Sequence, residues 1–503
     1  LKDYIKKPNF QITRIQGDEK MPFDNPERIN PSVGMTMVSE NQLDEIFEAA
    51  LTVLSKTGFK MTHDEAKQIC RSAGCQVDAD LVRVPKNVVE QCIQTAPKGF
   101  SIYDRLGNPA LDLSGRNSYY GCSTGSPYTL DAETGEIRST RYKDLEIGAL
   151  VSDALPNIDW VMPFGTTQDT PRDASFLYDF EACVSNTTLP IMFLSEGQKD
   201  SLYIQKMAAA CVGGRETLES KPFLMAYPEP ITPLFYPEEV VNRAFLAADW
   251  GIPQCPGTSQ IIGATSPVTM AGAVVLWLAE ALMSVVVLQL YKPGANICLS
   301  GNFGKFDMAT TVSAVASPET CMCLAVEAQM GQRLGLPTWG LAGASDSMLL
   351  DGQAGVEAAF SILSQGLSGL NLIHDVGYLG AGMICSPEML VLGDEICGMS
   401  RHLLRGISVD ADTLATEVIE HVGPGGNFIQ SPHTFRHFKK ESWFPDIMKR
   451  FYKDQWEKSG SPETRERVRE KLSKIIKNHQ PVALDPSIKA EIEKIRQQGE
   501  SEL

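Results

Sequence analysis

Eight short apolar runs recur along the middle of the chain, each closing in a burst of Gly, Ser, Thr, Asp or aromatic residues before a helix-like stretch. They fall at 119–121, 159–164, 191–194, 223–227, 252–255, 297–299, 338–341 and 370–373. A stretch credible as helix by composition follows each, at 145–155, 176–185, 201–212, 238–250, 268–290, 318–334, 353–367 and 387–404. The runs stand roughly 30 to 45 residues apart, enough for one returning helix each. Eight strand–helix units in series predict an α/β fold, a (β/α)₈ TIM barrel over 118–405. A doubly wound open sheet is the alternative. It would want a three-glycine fingerprint after the first strand, and G-C-S-T-G at 121–125 lacks that spacing.

The flanks read differently. Residues 1 to 35 are rich in Pro and charge and predict an extended arm. S-E-N-Q at 39–42 spells a capping box opening a helix that stops at Gly58. Further helices are expected at 63–73 and 85–95, with short strands at 81–84 and 100–103, so 1–117 forms an arm and helical cap. Residues 406–503 turn polar and predict a helical extension whose tail, EKIRQQGESEL, is a solvated, fraying helix.

Composition removes some functions. A net charge of −17 leaves nothing to offset repulsion from phosphates, which argues against nucleic acid as a partner. The longest apolar stretch, 270–290, carries Glu280 in mid-span and reads as a buried barrel helix, not a membrane span. The sequence opens LKDYIKKPNF with no apolar h-region, so the expected location is cytoplasmic. Twelve cysteines are scattered without a CxxC, the pattern of small buried hydrophobes in a reducing compartment.

A barrel of this kind does its chemistry at the C-terminal strand ends. Following each run to its end gives Cys122, Ser123 and Thr124, then Phe164, Thr166 and Gln168, then Ser195 and Glu196, then Tyr227, Glu229 and Pro230. The second half supplies Thr258 and Gln260, Asn302 and Phe303, Ser345 and Asp346, and His374, Asp375 and Tyr378. Ser, Thr and Asp there could be only helix caps. His374 beside Asp375 after an apolar run belongs at the barrel mouth, with a satisfied core histidine as its bland alternative.

What is missing narrows the reaction. Only Lys305 lies near a strand end, which disfavours a Schiff-base enzyme. No two barrel histidines stand at metal-ligand spacing, so no metal is expected. A cavity of aromatics, hydroxyls, amides and a few carboxylates suits a small organic cation, because ring faces attract charge without a tight ion pair.

Several segments carry a family resemblance. They are ALTVLSKTGFKM (50–61), LVRVPKNVVEQC (81–92), APKGFSIYDR (96–105), GLAGASDS (340–347), DGQAG (351–355), SGLNLIHDVGYL (368–379), EMLVLGDEI (388–396), GPGGNF (423–428) and HTFRHF (433–438). By these the chain resembles the trimethylamine–corrinoid protein methyltransferases, in the branch without pyrrolysine that includes enzymes acting on glycine betaine. The resemblance implies a barrel and methyl transfer from an amine to the Co(I) corrinoid of a separate partner protein, with no cofactor tightly bound. Trimethylamine enzymes carry pyrrolysine in the barrel, whereas this chain has only ordinary residues, which points to a quaternary amine. Glycine betaine is the expected substrate, with proline betaine, carnitine and γ-butyrobetaine as alternatives.

The chemistry agrees. A quaternary amine already carries its positive charge and leaves as a neutral tertiary amine, so a dry, weakly polar pocket favours the transition state. The expected substrate-binding residues are Phe164, Glu196, Tyr227, Gln260, Asn302, Phe303, Asp346, His374 and Tyr378. Tyr227, Phe303 and Phe164 are expected to face the methyls, and His374 and Gln260 the substrate's carboxylate. Two other classes stand beside this reading, a betaine-binding protein and a barrel lyase or isomerase with His374 as base. A homo-oligomer is compatible with the composition.

Overall fold

The computed structural model describes residues 33–122 and 124–503. The expected N-terminal arm lies almost wholly outside the described residues, as does Ser123. Three helices open the described chain: α1 (Glu40–Thr52), α2 (Asp64–Ser72) and α3 (Lys86–Thr95). The capping box forms as its sequence predicts, with Ser39 and Gln42 bonding reciprocally. α1 and α3 lie against a long apolar helix, Met270–Tyr291, most of which is buried and which is α8 in the order below. A small sheet ties this cap to the middle of the chain, because Phe59–Met61 pairs in parallel with Phe235–Tyr236.

The central architecture is α/β. Its strands are β1 (Tyr119–Cys122), β2 (Ile191–Phe193), β3 (Leu224–Ala226), β4 (Thr258–Ile262), β5 (Leu299–Phe306), β6 (Thr338–Leu341) and β7 (Leu372–Val376). Between and after them run α4 (Tyr142–Ala154), α5 (Ser175–Asn186), α6 (Gln198–Cys211), α7 (Glu238–Asp249), α8, α9 (Pro318–Leu334), α10 (Gly352–Ser368) and α11 (Pro387–Arg405). All the central pairings are parallel. Ladders join β2 to β3, β4 to β5, β5 to β6, β6 to β7, and β7 back to β1. Single bridges complete the path: Gly121 with Trp160, Val161 with Ile191, Ala226 with Gln254, and Gln254 with Ile297. Followed from β1, the pairings return to β1.

Two expected strands are reduced to those bridges, and backbone chemistry explains both. At 252–255, Pro253 and Pro256 bracket Gln254 and supply no N–H, so Gln254 alone can pair. At 159–164, Pro163 ends the run in the same way, and the Asp159 carboxylate accepts the Tyr120 N–H at 2.8 Å in place of a ladder bond. The chain resumes as β4 immediately after Pro256 and Gly257, in a segment without an expected strand. β5 and β7 also run further than expected, so Asn302, Phe303, Lys305, His374 and Asp375 lie inside strands instead of beyond them.

The two ends of the strand circuit are unlike. At the N-terminal end, the Ser101–Tyr103 and Pro109–Asp112 hairpin inserts Ile102, Leu111 and Leu113 among Tyr119, Trp160 and Leu372. At the other end, Tyr378–Leu379, Ile384–Cys385, Tyr128–Leu130 and Ile137–Ser139 form a mixed sheet beside the mouth.

After α11 come the short helices Ala411–Leu414 and Thr416–Val422, then α12 (Pro432–Glu441), α13 (Thr464–Asn478) and α14 (Pro486–Glu502). Arg465 and Arg469 of α13 hold the buried Glu388 of α11 at 2.9 and 2.5 Å. α14 corrects the expectation of a solvated tail, for it packs on α5 and α6 and buries Ile492 and Gly499. Gly499 permits the close approach, since a Cβ there would stand 2.8 Å from both Leu177 Cδ1 and Tyr203 Cγ. Gly499→Val is therefore expected to cost about 1–3 kcal/mol and to raise amide exchange across 486–502. A solvated helix would tolerate the valine, and unchanged exchange and melting would establish that.

Candidate functional site

Alternation along the strands aims the side chains. In β7, Leu372 and His374 face the interior while Ile373 joins the helix layer. His374 is buried and stacks on the Trp339 indole of β6 at 4.1 Å and 12°. Its Nε2–H donates to Oδ1 of Asn302 in β5 at 3.1 Å. Its Nδ1 lies 2.5 Å from Asp375 Oδ1, without the alignment of a hydrogen bond. Asp375 has φ +82°, a left-handed backbone that a residue with a Cβ adopts at a cost, and the register of β7 on β1 shifts there.

Tyr227 follows β3 and lies 4.9 Å from Trp339. Its ring rests where a side chain at position 257 would be, since a Cβ on Gly257 would meet it at 2.3 Å. Burial holds the Tyr227 phenol well above its ordinary range, with the Glu229 and Asp375 charges adding to it. Glu229 is itself raised by burial, opposed by the Ser259 hydroxyl, which donates to its Oε1 at 3.2 Å. Tyr378 is buried and its hydroxyl accepts the Thr124 N–H at 2.9 Å.

Tyr227 and Glu229 border a cavity of about 360 Å³, within the size range of small-molecule sites. Tyr227 and Phe176 supply aromatic faces. Glu196, Glu229 and Arg243 bring charge, and Thr166, Leu194 and Ser195 complete the wall. Arg243, from α7, donates to the Ser195 carbonyl. Burial lowers its guanidinium, while the Asp200 and Glu229 carboxylates favour its charged form. Asp200 in turn accepts from the Glu196 and Gly197 N–H groups at 2.6 and 2.9 Å, which fixes the turn that carries Glu196. A larger open groove of about 580 Å³ lies on the C-terminal segment between Phe451, Trp456 and Arg467, away from every strand end.

Of the nine expected site residues, Tyr227 and Glu196 line the cavity. His374 and Asn302 form the polar pair behind Trp339, and Tyr378 closes the loop carrying Thr124. Four stand elsewhere. Phe303 and Gln260 are register partners on β5 and β4, and both face α8: Phe303 toward Trp277, at 6.2 Å between ring centroids, and Gln260 toward Glu280. Their neighbours Asn302 and Ser259, also register partners, face inward. One residue along a strand exchanges the site face for the helix face. Phe164 sits against Gly148 of α4 in the helix layer, because the inward alternation of Trp160 and Met162 ends at Pro163. Asp346 accepts the Val315 N–H at 3.0 Å and anchors a loop.

Phe176, Arg243, Ser259 and Trp339 are not among the expected site residues. Parity along β4 and β6 is the signal that marks Ser259 and Trp339. Phe176 and Arg243 come from helices, where nothing local marks them.

Residues 12–502 match the family model described as trimethylamine methyltransferase (MTTB). The chain is 29% identical over 461 residues to a glycine betaine methyltransferase of Desulfitobacterium hafniense, covering 91% of this chain and 95% of that one. It is 30% identical over 480 residues to a trimethylamine methyltransferase of the same species, covering 93% and 95%. A solved structure of the monomethylamine methyltransferase of Methanosarcina barkeri aligns over 89% of this chain and 96% of that one, with 11% identity and a TM-score of 0.48.

Gln260 has a structural task that can be measured. It donates at 2.5 Å to Glu280, which also accepts from Leu234 N at 2.7 Å and from the Thr232 hydroxyl at 3.0 Å. Burial still dominates and pushes the Glu280 carboxyl up to about 7 from an ordinary 4.5. The folded chain thus holds that proton more tightly than the unfolded chain. Stability from this group is full below pH 4.5 and is lost as pH rises through 7. The loss amounts to about 3 kcal/mol. Unfolding midpoints of the parent minus those of Glu280→Gln are expected to fall across that window, and a flat difference would contradict the shift.

Proposed function

Because the chain belongs to the trimethylamine methyltransferase family, we propose that it moves a methyl group from a quaternary amine, glycine betaine first, to the Co(I) corrinoid of a partner protein. We read the returning circuit of parallel pairings as a closed (β/α)₈ barrel over 118–405, with 1–117 as arm and cap and 406–503 as a helical extension. The carrying observation is the composition of the cavity. Aromatic faces from Tyr227 and Phe176 stand in one small space with a single guanidinium, Arg243.

That set suits a betaine. The methylated ammonium takes the ring faces, which attract charge without the ground-state stabilisation of a close carboxylate. Glu229, its carboxyl raised by burial and tied to Ser259, competes less for the ammonium than a free carboxylate would. The substrate's own carboxylate turns to Arg243, which takes the place expected for Gln260. His374 and Asn302 act as positioning residues that fix the Trp339 face behind Tyr227. The protein's main contribution is orientation: one N-methyl group held toward the mouth, from which a nucleophilic metal can approach in line.

Two measurements test this reading. A panel of quaternary amines assayed for methylation of a Co(I) corrinoid is expected to give turnover with glycine betaine or a close relative. No methyl transfer from any quaternary amine would overturn the proposal. Arg243→Met is expected to raise KM for glycine betaine on the order of 10- to 100-fold, the worth of a charge-assisted hydrogen bond, with little change for tetramethylammonium as donor. Equal losses with both donors would make Arg243 a framework residue.

A further inference from the structure

The segment after α11 poses a physical problem. Among the described residues, Ala411–Leu414, Thr416–Val422 and α12 bury no side chain. Helices this short are marginal in water and take their stability from packing. Their mutual arrangement must rest on something other than an apolar core.

The groups that cross between them are ligating ones. His433 and His437 stand one turn apart on α12, so both rings lie on one face. Both direct Nε2 at the same residue: His433 at the Asp412 carbonyl, 3.0 Å away, and His437 at Asp412 Oδ2, also 3.0 Å away. The two rings are 4.3 Å apart, and one ligand atom from each of Asp412, His433 and His437 lies within 4.8 Å of the others. Ligand atoms on a tetrahedral zinc stand roughly 3.3 Å apart, so small rotations of side chains already aimed at one point would close the set.

Both ends of the cluster are held in place. The Asp410 carboxylate accepts from the N–H groups of Asp412 and Thr413 at 3.0 and 2.8 Å and fixes the turn presenting Asp412. Ser431 caps α12 by accepting from the His433 N–H at 3.2 Å. Arg436 approaches the other oxygen of Asp412, Oδ1, at 3.5 Å, which leaves Oδ2 to the histidines.

We propose that Asp412, His433 and His437 bind a divalent transition metal of the zinc class, stapling α12 to the Ala411–Leu414 turn. Two imidazoles and one carboxylate are a common borderline-soft donor set, and three protein ligands leave a fourth position open to solvent. The sequence expectation of no metal rests on the barrel histidines, and this set lies outside them. The H-x-x-x-H spacing at 433–437 is present in the sequence, but its third ligand is 21 residues upstream of His433.

The test uses the full chain without an affinity tag, stripped by a chelator and titrated with Co²⁺ and then Zn²⁺. One equivalent of Co²⁺ with the visible absorption of a tetrahedral site is expected, displaced by Zn²⁺. His437→Gln keeps a hydrogen bond to Asp412 but is a poor ligand. It is expected to weaken binding by more than the roughly 100-fold that disturbing an outer-shell partner costs. Zn²⁺ should also slow amide exchange over 411–441 in the parent and not in the variant. The ligands lie at the surface, so the variant folds and both readings remain available. No cobalt spectrum in the parent, or parent-like affinity in both His437→Gln and His433→Gln, would leave the cluster a plain hydrogen-bonded group and overturn the proposal.

Discussion

The register of β4 on β5 is the constraint from which the site follows. Parallel pairing sets Ser259 opposite Asn302 and Gln260 opposite Phe303, so each pair shares a face. Ser259 and Asn302 point into the circuit, where Ser259 meets Glu229 and Asn302 meets His374. Gln260 and Phe303 point at α8, where Gln260, with Thr232 and Leu234, satisfies Glu280 in a mostly apolar helix. A slip of one residue would take Gln260 away from Glu280, Ser259 from Glu229 and Asn302 from His374. The buried carboxyl in α8 and the inward polar contacts of Ser259 and Asn302 thus favour the same alignment from opposite sides.

The sequence carried much of this architecture. Helix boundaries from α4 to α11 fall within a few residues of the stretches expected from composition, and α8, buried on every side from Trp277 to Gln289, shows as a long, mostly apolar run. Strands are less legible where proline intervenes. Pro253 and Pro256 turn a run into one bridge, and the same pair hides β4, whose Thr-Ser-Gln-Ile-Ile reads as strand only once the break is recognised as internal. In the site, residue types are more legible than their directions. Tyr227 and Glu196 need only the position of a strand end. Phe303, Gln260 and Phe164 need parity, which a prolonged or interrupted strand changes. Arg243 and Phe176 need the packing of helices on the mouth, which no local pattern encodes.

The interior concentrates opposing demands. Asp375 holds a left-handed backbone at a strand end, and its carboxylate shares a confined space with Tyr227, Tyr378 and His374. Such conformations persist where the surroundings over-determine them, and here a bulge against β1, the stacked Trp339 and the adjoining mixed sheet do so. Gly257 makes the complementary concession, giving up a side chain so that the Tyr227 ring can lie against the backbone.

The hairpin carrying Ile102, Leu111 and Leu113 has a kinetic meaning. It plugs the N-terminal end of the strand circuit with close-packed apolar side chains, so a ligand does not reach the interior through that end. Under the proposed reaction, a small donor and a protein-borne acceptor would both use the mouth at the other end. An acceptor seated on the mouth would trap whatever lies inside and bar whatever does not. The donor would then enter first and its demethylated remnant depart last, a compulsory-order sequence in which excess acceptor acts as a dead-end inhibitor by sealing empty enzyme.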